Sequence, residues 1–323
     1  MQNPIQCTCQ FIHTPLLRLR GLAKGSRIDT HYTITHDNGA ISFKGVSGSK
    51  IKFSSDGQQP EWSLRVNLSN TRASVSAEEL SYLLGHHAWN ISNDSVGSKQ
   101  GVSTVQDLKM SSCVDGEFTC RDGDCVLMEE RCDQVLDCDD ESDEVDCHIV
   151  LLKESYRKAG PPVELKRENG TRNVIPAKVK VSLTILDISS IREADNEIDI
   201  KFTAELNWTE TRATYHNLKV NATQNTLEPK DIERLWIPNL IYRNNKDNDG
   251  TRSEWKKSSF MIERQGNFTR SSMNVIDEIE IFKGNENKII MIQSFTKEFK
   301  CKYNLKVFPF DTQVSQGLAN FCL

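Results

Sequence analysis

The stretch CVDGEFTCRDGDCVLMEERCDQVLDCDDESDEVDC, Cys113 to Cys147, constrains this chain more than any other. It holds six of the ten cysteines in 323 residues, with fourteen Asp or Glu against two Arg. A segment this short cannot bury enough apolar surface to fold unaided and needs covalent or metal staples. Disulfides persist only in oxidising compartments, so the cysteine density places the chain outside the cytosol. Asp133, Asp137, Asp143 and Glu144 bracket Cys132 and Cys138 and offer hard oxygen donors over a short span. Such donors suit Ca2+, which takes about 6–8 oxygens. Zinc on the same cysteines would need paired Cys-x2–4-Cys spacings and would leave the carboxylates without a role.

The run Cys132 to Glu144 reads C-D-x3-D-C-x3-S-D-E and resembles the LDL-receptor class A module. Spacing alone leaves many connectivities open. The resemblance implies the pairings Cys113–Cys125, Cys120–Cys138 and Cys132–Cys147, with the carbonyls of Glu130 and Val135 as further Ca2+ ligands. Class A modules that bind proteins clasp a lysine against an aromatic residue two places before the fourth cysteine. Glu130 occupies that place here and offers charge without a ring.

The module carries a balance of −12 against −5 for the whole chain, so the remainder is at +7. Those Lys and Arg are scattered along the sequence, which argues against nucleic-acid binding. No apolar run reaches the eighteen or so residues of a membrane helix. Sequons at Asn67, Asn90, Asn93, Asn169, Asn207, Asn221 and Asn267 are candidate glycosylation sites and agree with an extracellular chain. The N-terminal MQNPIQCTCQFIHTPLLRLRGL lacks the apolar core of a secretory signal, which points to a native start upstream of Met1.

From about Pro176 the apolar pattern has period two. Val179, Val181, Leu183 and Ile185 alternate with polar residues, as do Ile198, Ile200, Phe202, Ala204, Leu206 and Trp208. Phe299, Cys301, Tyr303, Leu305 and Val307 repeat the pattern later. Alternation of this length predicts strands with one inward face, and several such strands predict an antiparallel sandwich. Trp208 continues an inward set and is read as core. A helix-like stretch at Asp231–Leu235 ends at Trp236-Ile237-Pro238, as a proline near a boundary requires.

Three motifs punctuate these strands: LNWTETR at 206–212, WIPNLIYRNN at 236–245 and CKYNLKVFPFDTQ at 301–313. In order and separation they resemble W-x-D-x-R, W-x-P-D-L and C-x6-[FY]-P-x-D of the Cys-loop, pentameric ligand-gated ion channels. The resemblance implies the extracellular ligand-binding domain of a channel subunit, an Ig-like β-sandwich. Trp208, Arg212, Trp236 and Pro238 are then structural motif residues. Cys301, Phe308, Pro309, Phe310 and Asp311 form the loop that transmits gating. The implied partners are a small-molecule agonist and neighbouring subunits of a pentamer, with the plasma membrane reached through downstream helices.

Departures from the pattern qualify the ligand. Glu210 and Asn239 replace aspartates, Thr203 stands at an aromatic position, and the first ligand loop offers Tyr242 and Arg243. Arg243 suits a carboxylate, and these positions supply no aromatic box for a quaternary ammonium. The second loop cysteine would fall at Ser315, whereas the only downstream cysteine is Cys322. Residues 314–323 therefore read as a non-family tail such as intron read-through encodes, with a larger loop closed through Cys322 as the alternative.

The expected organisation is mainly β: an unassigned β-rich domain at 1–110, the disulfide- and calcium-stapled module at 111–148, and a partial ligand-binding sandwich at 149–313. A carbohydrate- or protein-binding sandwich is one expectation for the first domain, with a short helix at Ala77–Leu84. Neither GVSGSK nor the His86-His87 pair has the spacing of a phosphate loop or a metal site. No nucleophile–base constellation is present, so the chain is read as a non-enzyme. The alternative to a channel subunit is a secreted, non-channel binding protein.

Overall fold

The computed structural model describes residues 16–22, 26, 28–37, 40–55, 60–66, 71–77, 83–93, 102–168, 171–192, 194–242, 255–271, 277–300 and 319–322. The chain divides into two compact units, residues 1–147 with 270–279, and residues 148–269 with 280–323. Most of the expected 77–84 helix, and the alternating run beyond Lys300 up to Val307, lie outside the described residues.

In the first unit eight antiparallel strands close into an up-and-down barrel. They are β1 (Leu16–Arg20), β2 (His31–Asp37), β3 (Ala40–Gly45), β4 (Lys50–Ser54), β5 (Glu61–Arg65), β6 (Thr71–Ser76), β7 (Gly85–Asn93) and β8 (Val102–Ser111). The expected sandwich is replaced by a barrel because β1 pairs with both β2 and β8, Leu19 lying opposite Met110. Closure removes the edges that an open sheet must protect. Alternate residues point inward: Leu17, Tyr32, Phe43, Ile51, Leu64, Trp89 and Leu108 are all buried in one core.

The cysteine-rich segment follows directly, with a small hairpin of β9 (Glu117–Thr119) and β10 (Cys125–Leu127). Its own apolar cluster is only Phe118, Cys120, Met128 and Cys138. It packs on the barrel through two glycines at positive φ, Gly85 (96°) and Gly123 (108°). A Cβ at Gly123 would stand 2.7 Å from that of Leu84, so the close approach requires glycine.

Beneath that contact lies a buried charge cluster. The Glu278 carboxylate accepts from the Thr119 N–H at 2.6 Å and the Thr119 hydroxyl at 3.1 Å, and it pairs with Arg20 and with Lys109 at 3.3 Å. Arg131 donates to the Glu278 carbonyl and stacks 4.3 Å over Phe118. Burial, with Arg131 and Arg20 nearby, pushes Lys109 down to about 7 against the pull of Asp277.

His86 adjoins this cluster, and its buried Nε2 has no hydrogen-bond partner. Burial, aided by Lys109, Arg121 and His87, lowers its pKa from 6.5 to about 4, with Asp140 opposing. The folded chain therefore keeps His86 neutral where the unfolded chain protonates it. Unfolded molecules bind more protons in this window, so stability is full above pH 6.5 and declines as pH falls towards about 4. His86→Gln should flatten that part of a Tm-against-pH curve recorded at fixed calcium. An unchanged slope would refute the assignment.

The second unit is built on a four-stranded sheet in the order β14 (Lys180–Arg192), β15 (Glu197–Thr209), β21 (Lys288–Lys300) and β18 (Ser259–Glu263). A second sheet runs β11 (Val150–Leu152), β16 (Ala213–His216), β20 (Glu280–Lys283) and β19 (Phe268–Arg270). Two short ribbons accompany them: β12 (Val163–Glu168) with β13 (Thr171–Pro176), and β17 (Asn239–Tyr242) with β22 (Ala319–Cys322). A single core joins the two sheets, with Phe202, Ala204, Leu206 and Trp208 of β15 and Ile289 of β21 in one cluster with Tyr215 and Phe282 of the second sheet. The helix α1 (Pro229–Arg234) starts at a proline and ends where Leu235 turns to extended backbone, one residue before Trp236.

Alternation overstates the burial of β14. Val179 and Val181 reach the core, but Leu183 and Ile185 are 44% and 64% exposed. Among the described residues the strand lies at the sheet edge and pairs only with β15, and it shifts register between Ile185 and Asp187 and again between Ile188 and Ser190. Period two reports an extended strand, whereas cover depends on what lies above it.

Candidate functional site

Three disulfides staple the cysteine-rich module: Cys113–Cys125, Cys120–Cys138 and Cys132–Cys147, with Cα separations of 5.4, 5.8 and 5.5 Å. Between them the backbone makes abrupt turns. Cys132, Gln134, Glu141 and Asp146 all adopt positive φ, a region that costs non-glycine residues energy unless the surroundings enforce it. These turns aim backbone N–H groups at the acidic side chains of the same loop. The Asp143 carboxylate is fully buried and accepts from the N–H groups of Asp137 (2.9 Å) and Cys138 (3.3 Å). Glu144 accepts from those of Asp133 (2.7 Å) and Gln134 (3.1 Å), and Asp133 from that of Val135 (2.9 Å).

Mutual repulsion shows in their protonation. Asp137 is held above the usual carboxylate range by desolvation and by the charges of Glu130, Asp133 and Asp143. Glu144 is raised by desolvation, with Asp143 and Asp133 adding to it and its backbone hydrogen bonds opposing. A buried carboxylate ringed by like charges fits a hard divalent cation, which reverses every one of these penalties. Among the described residues, the one group whose ligand atoms all lie within 4.8 Å is Cys113, Glu117 and Cys125. Its two sulfurs are joined in a disulfide and offer no thiolate, while no three of the Asp133, Asp137, Asp143 and Glu144 carboxylates bring ligand oxygens that close to one another. The Glu130 side chain accepts from the Leu127 N–H at 2.6 Å.

In the second unit the motif residues converge. Glu210 is fully buried and binds Arg212 through two N–H donors, Nε to Oε1 at 2.7 Å and Nη2 to Oε2 at 2.8 Å. The Tyr156 hydroxyl donates to Glu210 at 3.0 Å and accepts from the Trp236 N–H at 2.8 Å. Arg212 stacks 4.6 Å over the Tyr156 ring and donates to the Arg157 carbonyl at 3.0 Å. Trp208, 2% exposed, meets Trp236 edge-on at 6.3 Å between ring centroids. The motifs at 206–212 and 236–238 are thus one charge-assisted network, and Tyr156 is the member that sequence reading missed. Its signal is faint: one tyrosine fifty-odd residues upstream, in no motif of its own. Burial beside Glu210 raises its hydroxyl to about 12.

A cavity of about 740 Å3 opens on the outer face of β15 and β21. Glu205, Asn207, Lys180, Lys288, Glu263 and Gln265 give it both signs of charge and two amides. The alternation that sends Trp208 inward sends these β15 residues outward, so their placement was open to a sequence reading that looked for ligands there. Thr203 lies one repeat further along the same face and shares a hydrogen bond with Ser294 at 3.1 Å.

Tyr242 is not at a ligand surface. It is 2% exposed, with its ring against Phe202, Phe295 and Phe299 at 5.3, 5.7 and 6.1 Å. The correction follows from β17, where Leu240 and Tyr242 form the inward pair. Pro238 ends the turn before β17. Arg243 lies outside the described residues, as do Cys301, Phe308, Pro309, Phe310, Asp311, Asn67 and Asn169, and the side chain of Asn93. Asn90, Asn221 and Asn267 are exposed, and Asn207 is half-buried with its amide donating to Glu205 at 2.8 Å.

Residues 148–316, just over half of the chain, match the neurotransmitter-gated ion-channel ligand binding domain, and residues 111–147 match the low-density lipoprotein receptor domain class A. The chain belongs to the neurotransmitter-gated ion-channel ligand-binding family and carries a class A module ahead of that domain. Over 165 residues it is 22% identical to the acetylcholine-gated chloride channel subunit acc-1 of Caenorhabditis elegans, covering 51% of this chain and 28% of the relative. Over 50 residues the chain is 46% identical to the vitellogenin receptor Yl of Drosophila melanogaster (16% of this chain, 2% of the relative). Over 43 residues the chain is 49% identical to the atrial natriuretic peptide-converting enzyme of Homo sapiens (13% of this chain, 4% of the relative). The chain therefore spans less than a third of each of these relatives. No helix among the described residues is long and apolar enough to cross a membrane.

Proposed function

We propose that this chain is the extracellular agonist-binding region of a pentameric neurotransmitter-gated channel subunit, fronted by a calcium-holding class A module. The observation that carries the reading is the Glu210–Arg212–Tyr156–Trp236 network, which locks together two of the three motifs on which the resemblance rests. The carboxylates of Asp133, Asp137, Asp143 and Glu144, with the carbonyls of Glu130 and Val135, would hold the Ca2+. Its role there is to neutralise the acidic turn and fix the module against the barrel.

The β15–β21 cavity supports one wall of an agonist site. With lysines and glutamates on its lining it suits a small zwitterion, and its one aromatic residue, Trp208, is buried. Among the described lining residues a quaternary ammonium has no exposed ring to stack on. Acetylcholine gates the nematode relative by its name, but that property sits poorly with this lining. The exposed apolar side chains of β14 offer cover to a neighbouring subunit, as large apolar surface usually does. The test is the full-length transcript. It should continue past the 301–313 motif into further strands and four apolar helices. A mature transcript without such helices would leave a secreted binding protein and end the channel reading.

A further inference from the structure

The cations that look scattered in the sequence are gathered by the barrel. Lys44 of β3 lies opposite Lys50 of β4, Lys50 opposite Arg65 of β5, and Arg65 opposite Arg72 of β6. The row continues to Ser92 and Ser103 on β7 and β8 and begins at Thr33 on β2. Their strand neighbours Phe43, Ile51, Leu64 and Ala73 are buried, so all four cations stand on the outer face. Four in-register strands at about 4.8 Å spacing make a ladder of roughly 14 Å. No acidic residue occupies a rung. Lys52 extends the positive face by one repeat, and Glu61 stands two same-face positions along β5 from Arg65. Beside the ladder lies a hollow of about 260 Å3, lined by Arg65 and Arg72 with the hydroxyls of Ser63, Ser74, Ser92 and Ser103, and also by Glu61 and Asn90.

Stacked in register, the four cations present positive charge at regular intervals along one outer face. A ligand with anions at similar intervals is complementary to that row. We propose that the outer face of the barrel is a binding site for a linear sulfated polysaccharide laid along Lys44, Lys50, Arg65 and Arg72. Two observations favour that class. The rungs and the neighbouring row are hydroxyl-rich and carry no aromatic ring on which a nucleobase would stack. Nor does either row hold the apolar anchors, between β2 and β7, that a lipid surface would take up. The disulfide-bonded module in the same unit places the face where such polysaccharides occur.

The experiment titrates the whole chain, deglycosylated at Asn90, with heparin at about 0.15 M salt and above. Binding should weaken steeply with salt, and Arg65→Ser/Arg72→Ser should lower affinity by about tenfold or more with a shallower salt slope. Lys153→Ser/Lys230→Ser, which removes two exposed cations elsewhere, should leave it unchanged. If the arginine pair proves necessary for folding, Lys44→Ser/Lys50→Ser reads the same ladder. No binding, or equal binding by the ladder variants, overturns the proposal. Tighter binding to single-stranded DNA or to phosphatidylserine vesicles than to heparin overturns the class of ligand.

Discussion

Glu210→Ala should lower the stability of the second unit by about 3–5 kcal/mol, the usual result of removing one member of a buried ion pair. The carboxylate is fully buried and is the shared acceptor of Arg212 and Tyr156, so its loss strips the guanidinium of its counter-charge and the hydroxyl of its acceptor, leaving Arg212 the Arg157 carbonyl and Tyr156 the Trp236 N–H. For a domain of this size that is a fall of about 6–20 °C in Tm. Glu210→Gln keeps an acceptor and a donor of the same shape and should cost less. Glu210→Ala/Arg212→Ala should recover part of the loss, because the uncompensated charge goes with its partner. Melting of the four proteins decides it. A Glu210→Ala variant as stable as the parent would remove the network from the account.

Asp143→Ala should abolish most calcium binding and with it the correct oxidative folding of residues 113–147. Outer-shell losses alone cost about 10–100-fold in metal affinity, and a ligand carboxylate should exceed that. Asp143 also orders the fold directly, since its oxygens hold the Asp137 and Cys138 N–H groups and its carbonyl accepts from Cys132 at 3.1 Å. Asp143→Asn separates the two contributions, because it retains acceptors for the backbone but loses charge. Calcium titration and disulfide mapping of both variants, with and without EDTA, read the outcome. Native pairing with undiminished calcium affinity in Asp143→Ala would contradict the assignment of the cage.

Some of this was open to reading in one dimension and some was not. The class A module and the sandwich motifs are local patterns: cysteine spacings, a tryptophan phased with its strand, a proline at a helix end. The inward run Phe202 to Trp208 is likewise a property of one strand. Closure of the barrel is not local. It depends on Leu19 meeting Met110 across ninety intervening residues, and no pattern within either strand announces it. The same holds for Glu278, whose partners Arg20, Lys109 and Thr119 lie more than a hundred and fifty residues away.

The misreadings have physical causes too. Adjacent positions on a strand face opposite ways, so placing Tyr242 beside a ligand loop ignored that its phase is inward with Leu240. Leu183 and Ile185 alternate correctly but lie on an edge strand with two register shifts, where nothing among the described residues covers them. The cationic ladder is invisible in composition because its members come from four strands, and register alone aligns them.

The measurement that tests the central claim most directly is current recorded from cells expressing the full-length transcript that contains residues 148–316. The account predicts a current gated by a small zwitterionic agonist and weakened when Glu205 and Lys288, which line the β15–β21 cavity, are replaced by alanine. A protein that reaches the cell surface, keeps its fold and conducts with no small-molecule agonist would contradict it.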